Sequence, residues 1–237
     1  MVMDDFFSRS EALLGLEVMN ALHTKRVIIF GVGGVGSYAA ETLIRTGLTH
    51  LTIVDDDTVQ PSNINRQLPA TRVTLGMPKV EALRGRLLSI HPEAEIMARC
   101  ERVNGEWLKA NGLDDYDYVI DAIDSVADKT DLILYASRVR GCKVFCSMGA
   151  ALRFDPTQVR VAELFDVKGD ALAKAVRERM KKLDLHPHKK IRCVYSLEQA
   201  QRCETRGSLM QVTAVFGCTL ASLVINDIYK QSKLINT

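Results

Sequence analysis

A Rossmann-like, doubly wound α/β fold on a mostly parallel sheet, with a C-terminal elaboration, is the architecture this sequence predicts. Three observations carry that prediction. A glycine turn, Gly31-x-Gly33-x-x-Gly36, follows directly on the β-branched run "KRVIIF" and opens the helical stretch "SYAAETLIRTG". An acidic residue, Asp55, comes 19 residues after Gly36 at the end of a second strand-like run, "LTHLTIVD". From there on, short apolar runs alternate with segments of helical period, the pattern of a parallel sheet covered on both faces.

Taken in order, the first strand, glycine turn and helix form one unit that ends at Gly47, and "LTHLTIVD" is its second strand. A polar connection, "DDDTVQPSNINRQ", follows. "MPKVEALRGRLLSIHP" then places Val80, Leu83, Leu87 and Ile90 at helical spacing, with Pro78 near the start and Pro92 beyond the end. "AEIMARC" and "YDYVIDAID" read as strands, "DKTDLILYASRVRG" as a helix, and "KVFCSMGA" as the next strand. Past "FDPTQ" the character changes. "VRVAEL" reads as a strand and "ALAKAVRERMKKL" as a basic amphipathic helix. "HPHKKIRCVYSLEQAQRCETRGS" reads as a polar region, with Cys193 a core-facing strand residue inside it. The expected organisation is one unit over residues 1–237. It has a nucleotide-binding core over 26–150, an elaboration over about 150–210 that is too short to bury a core alone, and a packed helix over 212–229.

With 237 residues and 47% hydrophobic content the chain can bury one substantial core. A net charge of +2 does not make a polycation, so any contact with nucleic acid must come from a local patch. The six cysteines form no Cys-x-x-Cys pair, which argues for free thiols in a reducing compartment and against a closed four-ligand zinc site. The opening residues do not read as a secretory leader. The late apolar run is interrupted by Thr213, Thr219, Ser222 and Asn226 and reads as a packed helix rather than a membrane span.

The glycine turn provides a tight bend, close approach of backbone to phosphate and a helix N-terminus facing the anion. At the spacing of Asp55 a carboxylate hydrogen-bonds a ribose hydroxyl. Asp57, Asn63, Asn65, Arg66 and Gln67 have no task in binding a nicotinamide cofactor, whereas Arg66 with Lys79 offers two cations to a triphosphate. A surface ion pair for Arg66 and a solvated first-turn position for Lys79 are the plain alternatives. Asp121 and Asp124 end a strand at the ligand-binding edge of the sheet, where a carboxylate beside phosphates suits magnesium. Of the two, Asp121 is the more natural turn or capping residue.

In this order, "GVGGVG", "DDDTVQPSNINRQ", "LGMPK" and "VIDAIDS" resemble the adenylating domain of ubiquitin-activating enzymes and of bacterial activators of sulfur-carrier proteins, the ThiF/MoeB-type superfamily. That resemblance covers about residues 26–150 and makes this the ATP-binding core. "FFSRSEALLGLEVMNAL", "CSMGAALRFDPTQVRVAEL" and "AVFGC" extend it over nearly the whole chain, to the tRNA threonylcarbamoyladenosine dehydratase family. It implies adenylation of the threonyl carboxylate on modified tRNA by ATP and magnesium, followed by ring closure with loss of water. Tethering the nucleophile in the same base favours that closure.

Carried over by position, the nucleotide set is Gly31, Gly33, Gly34, Gly36, Asp55, Asp57, Ser62, Asn63, Arg66, Lys79, Asp124 and Ser125, with Asp124 on the metal and Lys79 on the leaving pyrophosphate. Arg9 occupies the place of an arginine that reaches the other subunit's ATP in related dimers, so the resemblance implies a homodimer. Its plain alternative is an exposed helix-start residue. Cys203, between Arg202 and Arg206, matches a loop cysteine that forms a thioester in protein-activating relatives, but this ring closure needs no covalent enzyme intermediate. For tRNA, the candidate surface is Arg177, Arg179, Lys181, Lys182, Lys189, Lys190 and Arg192, with Tyr195 the nearest aromatic ring. His186 and His188 lack a metal-site partner cluster. The competing readings are adenylation of a ubiquitin-like or sulfur-carrier protein, against which the missing Cys-x-x-Cys pairs count, and a nicotinamide oxidoreductase, which leaves Arg66, Lys79 and Asp124 unused. The sequence leaves open whether a sulfur-transfer protein docks on the chain. The implied location is cytoplasmic, off the membrane.

Overall fold

The computed structural model describes residues 5–205 and 207–234. Its strands are β1 (Arg26–Phe30), β2 (His50–Val54), β3 (Glu95–Arg99), β4 (Tyr118–Asp121), β5 (Lys143–Ser147), β6 (Val159–Glu163) and β7 (Arg192–Ser196). The helices are α1 (Ser8–Leu14), α2 (Leu16–Thr24), α3 (Gly36–Thr46), α4 (Lys79–Ile90), α5 (Gly105–Asn111), α6 (Val126–Ala136), α7 (Ala171–Leu183) and α8 (Met210–Leu234). The strands make one seven-stranded sheet in the order β3-β2-β1-β4-β5-β7-β6. Every pairing is parallel except β6 with β7. The chain winds outward from β1 to β3, then returns to place β4 on the other side of β1, so the topological switch point lies between β1 and β4, where folds of this class bind ligands.

Local sequence accounts for most of these elements. In β1, Val27 to Phe30 are fully buried, which is why the run is continuously apolar rather than alternating. Helix α3 stops because Gly47 takes a left-handed conformation, φ 110°, and donates back to Ile44 and Leu43. In α4, Val80, Leu83, Leu87 and Ile90 are all buried, as their spacing demands, and Pro78 stands at the N-cap. One core packs α2, α3, α4 and α8 on one face of the sheet, and the other packs α5, α6 and α7 on the opposite face. Each fully buried leucine such as Leu43 contributes about 1.5–3 kcal/mol. The α3–α8 contact depends on Gly217, where any Cβ would run into the Val35 carbonyl and Tyr38.

Four details differ from the sequence expectation. Cys193 lies on a core-facing strand, as its sequence context predicts, but that strand, β7, inserts between β5 and β6 and aligns Cys193 with Cys146, a sheet position that its polar surroundings do not announce. Helix α5 was not foreseen; its seven residues are too few to show a period, and it is set by Asn104, whose side chain accepts from the Trp107 N–H. Helix α6 ends at Ala136 and does not run on to Gly141. Helix α8 outruns the expected 212–229 at both ends. By length and composition, α8 is apolar enough to cross a membrane, with mean hydropathy 1.5, but half of that apolar window is buried inside the protein against its neighbours.

Candidate nucleotide site

At the carboxyl ends of β1, β2, β4 and β5 the sheet opens into a cavity of about 580 Å³. Its floor is the glycine turn. Gly31, at φ +82°, donates its N–H to the Val54 carbonyl at 2.8 Å, and a Cβ there would stand 2.8 Å from the Ala122 carbonyl oxygen. A Cβ on Gly36 would overlap the Gly31 carbonyl. These two glycines therefore serve the bend and the packing behind it. Gly33 and Gly34 line the cavity, and their bare backbone lets a ligand approach. No side chain caps α3; the Ser37 N–H donates to the Gly33 carbonyl at 3.2 Å, and the positive end of the helix stands beside Gly33 and Gly34 at the cavity.

The loop after β2 closes the second side. Both Asp55 carboxylate oxygens are oriented by backbone, Oδ2 accepting from the Val32 N–H at 2.7 Å and Oδ1 from the Asp57 N–H at 2.9 Å. Burial raises its pKa, against the opposing pull of Lys79 and of these two N–H groups. Lys79 is 5% exposed and places Nζ 2.6 Å from Asp57, a carboxylate that is itself mostly exposed. Buried Asn63 accepts the Gln60 N–H on Oδ1 at 3.0 Å, which leaves its NH2 group for the cavity. Arg66 is steadied by the Ser62 carbonyl at 2.8 Å and Asn65 Oδ1 at 2.9 Å. On the third side, the end of β4 presents exposed Asp124 and half-buried Ser125, which caps α6. Asp121 does not line the cavity: its Oδ1 accepts from the Ile123 N–H at 3.0 Å, the turn role expected for it, and its other oxygen pairs with fully buried Lys129 at 2.7 Å, a partner the sequence does not indicate.

The structure therefore gathers Gly31, Gly33, Gly34, Asp55, Asp57, Asn63, Arg66, Lys79, Asp124 and Ser125 around one cavity. Three expected site residues do not line it. Gly36 is packed behind the turn, Ser62 is exposed and contributes only the carbonyl that holds Arg66, and Arg9 stands exposed on α1. Sequence reasoning assigned no site role to Ser147 to Ala151, Leu172, Ser208 and Thr213, which also line the cavity, although Ser147 to Ala151 fall in the stretch "CSMGAALRFDPTQVRVAEL" that carries the resemblance. That wall is built by a buried pair from the elaboration. Asp170 accepts from the Gly149 N–H at 3.0 Å and pairs with Arg153 at 3.1 Å, while Arg153 also donates to the Gly149 and Glu198 carbonyls. Leu152, at φ 63°, bonds Gly207 and Gln201 through its own N–H and carbonyl, tying the segment before α8 to the same wall.

The proposed basic surface is smaller than the sequence suggested. Arg177 is consumed by the Leu164 and Val167 carbonyls, Arg179 reaches Asp131 at 3.5 Å, and Lys189 holds the Val139 and Cys142 carbonyls. Lys181, Lys182, Lys190 and Arg192 stay exposed. Tyr195 is buried at 8% exposure and offers no stacking face, because β7 places it in the core. His188 caps Ser137 through its backbone and His186 rests near Phe165, so both are loop residues. All six cysteines are free thiols; Cys203 is exposed and Arg206 lies outside the described residues.

Known proteins resemble this chain over nearly its whole length. The ThiF family profile matches residues 7–236. The chain is 39% identical over 176 residues to the tRNA threonylcarbamoyladenosine dehydratase of Bacillus subtilis, covering 74% of this chain and 69% of that protein. It is 34% identical over 230 residues to the Haemophilus influenzae protein of the same name, covering 89% of this chain and 88% of that one. The crystal structure of the Escherichia coli tRNA N6-threonylcarbamoyladenosine dehydratase in complex with ATP superimposes with a TM-score of 0.92 at 32% identity, over 98% of each chain.

Proposed function

The chain belongs to the ThiF family, and on that membership we propose that it is an ATP-dependent tRNA threonylcarbamoyladenosine dehydratase. The observation that carries this reading is the extent of the likeness: it includes the β6–α7–β7 elaboration and α8 as well as the nucleotide core. In the first step a threonyl carboxylate oxygen attacks the α-phosphorus of ATP, and pyrophosphate leaves. In the second, the carbamoyl group of the same modified base attacks the activated carbonyl and AMP leaves, so the nucleoside loses one water overall. The second step needs no enzyme nucleophile, so the exposed thiol of Cys203 has no covalent role in it.

The cavity suits the nucleotide as follows. Asp55 receives the ribose, the glycine turn and the start of α3 receive the phosphates, and Asn63, Arg66 and Lys79 face the departing pyrophosphate. Lys79 exchanges Asp57 for phosphate oxygens as the nucleotide arrives, a trade between two anions of similar hydrogen-bonding character. Asp124 is an exposed carboxylate on the cavity wall and has the donor type that magnesium takes beside phosphates; the ion would neutralise charge on the leaving group. Ser147 to Ala151, which line the same cavity outside the set that takes the phosphates, are the place for the modified base. Lys181, Lys182, Lys190 and Arg192 supply the tRNA backbone contacts, with a steep salt dependence of binding. The enzyme works as a cytoplasmic homodimer in which Arg9 enters the neighbouring site.

The deciding experiment incubates the protein with Mg-ATP and tRNA carrying threonylcarbamoyladenosine, then weighs the nucleosides under conditions that preserve the ring. ATP-dependent loss of one water is the expected result. An unchanged mass beside active ATP–pyrophosphate exchange would overturn it in favour of adenylation of a carrier-protein tail.

A further inference from the structure

Six cations gather where two connections of the fold meet, and the nucleotide cavity uses none of them. One connection runs from α6 into β5 and carries Arg138 and Arg140. The other runs from α7 to Arg192 at the start of β7 and carries Lys190, with Lys181 and Lys182 in the last turn of α7. All six are exposed, and none forms an ion pair among the described residues. The two connections are fastened to each other. The His188 N–H donates to Ser137 Oγ at 3.0 Å, and the Lys189 ammonium donates to the Val139 carbonyl and, at 3.0 Å, to that of Cys142. The carboxylates at the margin are Asp184, which ends α7 in a left-handed conformation, and Asp114 and Asp117 beyond Cys142, the last already paired with Lys25 at 2.8 Å. Cations are therefore in excess here, in a chain whose formal charge is only +2.

The place of this surface decides what it can touch. Both connections lead into the first residues of strands that run parallel to β4, so they lie at the pole opposite the carboxyl ends where the cavity opens. Helix α7 joins the two poles: Leu172 in its first turn lines the cavity, and Lys181 and Lys182 follow about 14–15 Å further along the axis. A modified base seated in the cavity keeps its own phosphate beside it, so the distant cations are left for phosphates of other nucleotides. Contacts of that kind hold and orient a nucleic acid without reading its sequence.

We propose that Arg138 and Arg140 join Lys181, Lys182, Lys190 and Arg192 in one surface that anchors the body of the tRNA through its phosphates, away from the base that reacts. The surface serves capture of the RNA and takes no part in the chemical steps. The assignment rests on the reading of the chain as a tRNA dehydratase and extends its RNA contacts to the α6–β5 connection.

The test combines Arg138→Ser with Arg140→Ser and compares that variant with Lys109→Ser combined with Lys230→Ser, an equal change of charge at exposed positions elsewhere. Binding of full-length tRNA is read by fluorescence anisotropy between about 50 and 200 mM salt, and dehydration by steady-state kinetics. In the Arg138 and Arg140 variant the slope of log affinity against log salt should be shallower by about 2. The KM for tRNA should then rise about ten- to a hundredfold near 0.1 M salt, because the affinities converge only near 1 M. Both kcat and the KM for ATP should stay unchanged, and the lysine control should match wild type. Arg138→Lys with Arg140→Lys should restore binding, since a single phosphate contact needs the charge more than the guanidinium plane. An unchanged slope and KM would overturn the assignment and leave the surface to an acidic protein partner. So would an equal loss in the lysine control, which marks bulk charge, or a fall in kcat without a change in KM, which marks a part in the chemistry. Wild-type protein that binds ATP without binding or dehydrating tRNA would sink the proposed function and this surface with it. An active wild type beside a fully competent variant would sink the surface alone.

Discussion

Lys79 shows how a single residue combines fold and chemistry. Its backbone N–H donates to the Asp57 carbonyl at 2.9 Å, its side chain is buried, and its ammonium is parked on the Asp57 carboxylate at 2.6 Å. A cation kept dry and already paired costs little reorganisation when phosphate replaces carboxylate, the condition under which an electrostatic group is most effective in a transition state. Lys79→Ala should leave the far-ultraviolet circular dichroism unchanged and lower single-turnover adenylation by about 10²–10³-fold. Undiminished adenylation would remove Lys79 from the reaction. The residue types here were legible in sequence, since Arg66, Lys79 and Asp124 are needless in a nicotinamide site. Less legible was the Asp57 carboxylate as the group on which Lys79 rests, since the two are 22 residues apart.

At the level of elements, the two helices that carry the phosphate turn and Lys79 are held together by charge. Glu41 on α3 accepts from Arg86 on α4 at 2.6 and 3.2 Å and from Arg45 in its own helix at 2.8 Å. Burial disfavours the Glu41 charge, but the hydrogen bonds and charges of Arg86 and Arg45 outweigh it and hold the pKa below the ordinary 4.5. A depressed carboxylate stabilises the fold above its unfolded-state pKa and loses that contribution as pH falls through the folded value. Glu41→Gln should therefore cost about 1 kcal/mol at neutral pH, and the gap to wild type in urea unfolding should close as pH drops below 4.5. A gap that stays constant down to pH 3 would show that the pair is energetically silent. Helices such as α4 were readable because twelve residues contain more than three turns of pattern, whereas α5 was not, being only seven residues long, and β7 was legible only around Cys193, its polar surroundings hiding where in the sheet it belongs.

On the scale of the whole molecule, the cavity contains its nucleotide groups but leaves Arg9 outside, exposed on α1. An arginine in that place serves a site only if another copy brings it there. Mixing Arg9→Ala with Asp124→Ala, each inactive alone, should restore part of the dehydratase activity under conditions of subunit exchange, because half of the mixed dimers hold one intact site. No recovery would count against shared sites. What the sequence by itself determined is the fold class and the chemistry of the nucleotide half, since glycine geometry, acidic spacing and helical period are local properties that survive in one dimension. What only the tertiary structure decided is how the Ser147 to Ala151 wall is fastened, the burial of Tyr195, and the engagement of Arg177 and Lys189 with backbone carbonyls. Those depend on which distant segments meet, as when Asp170 and Arg153 fasten Gly149, and on whether a polar group finds a partner there.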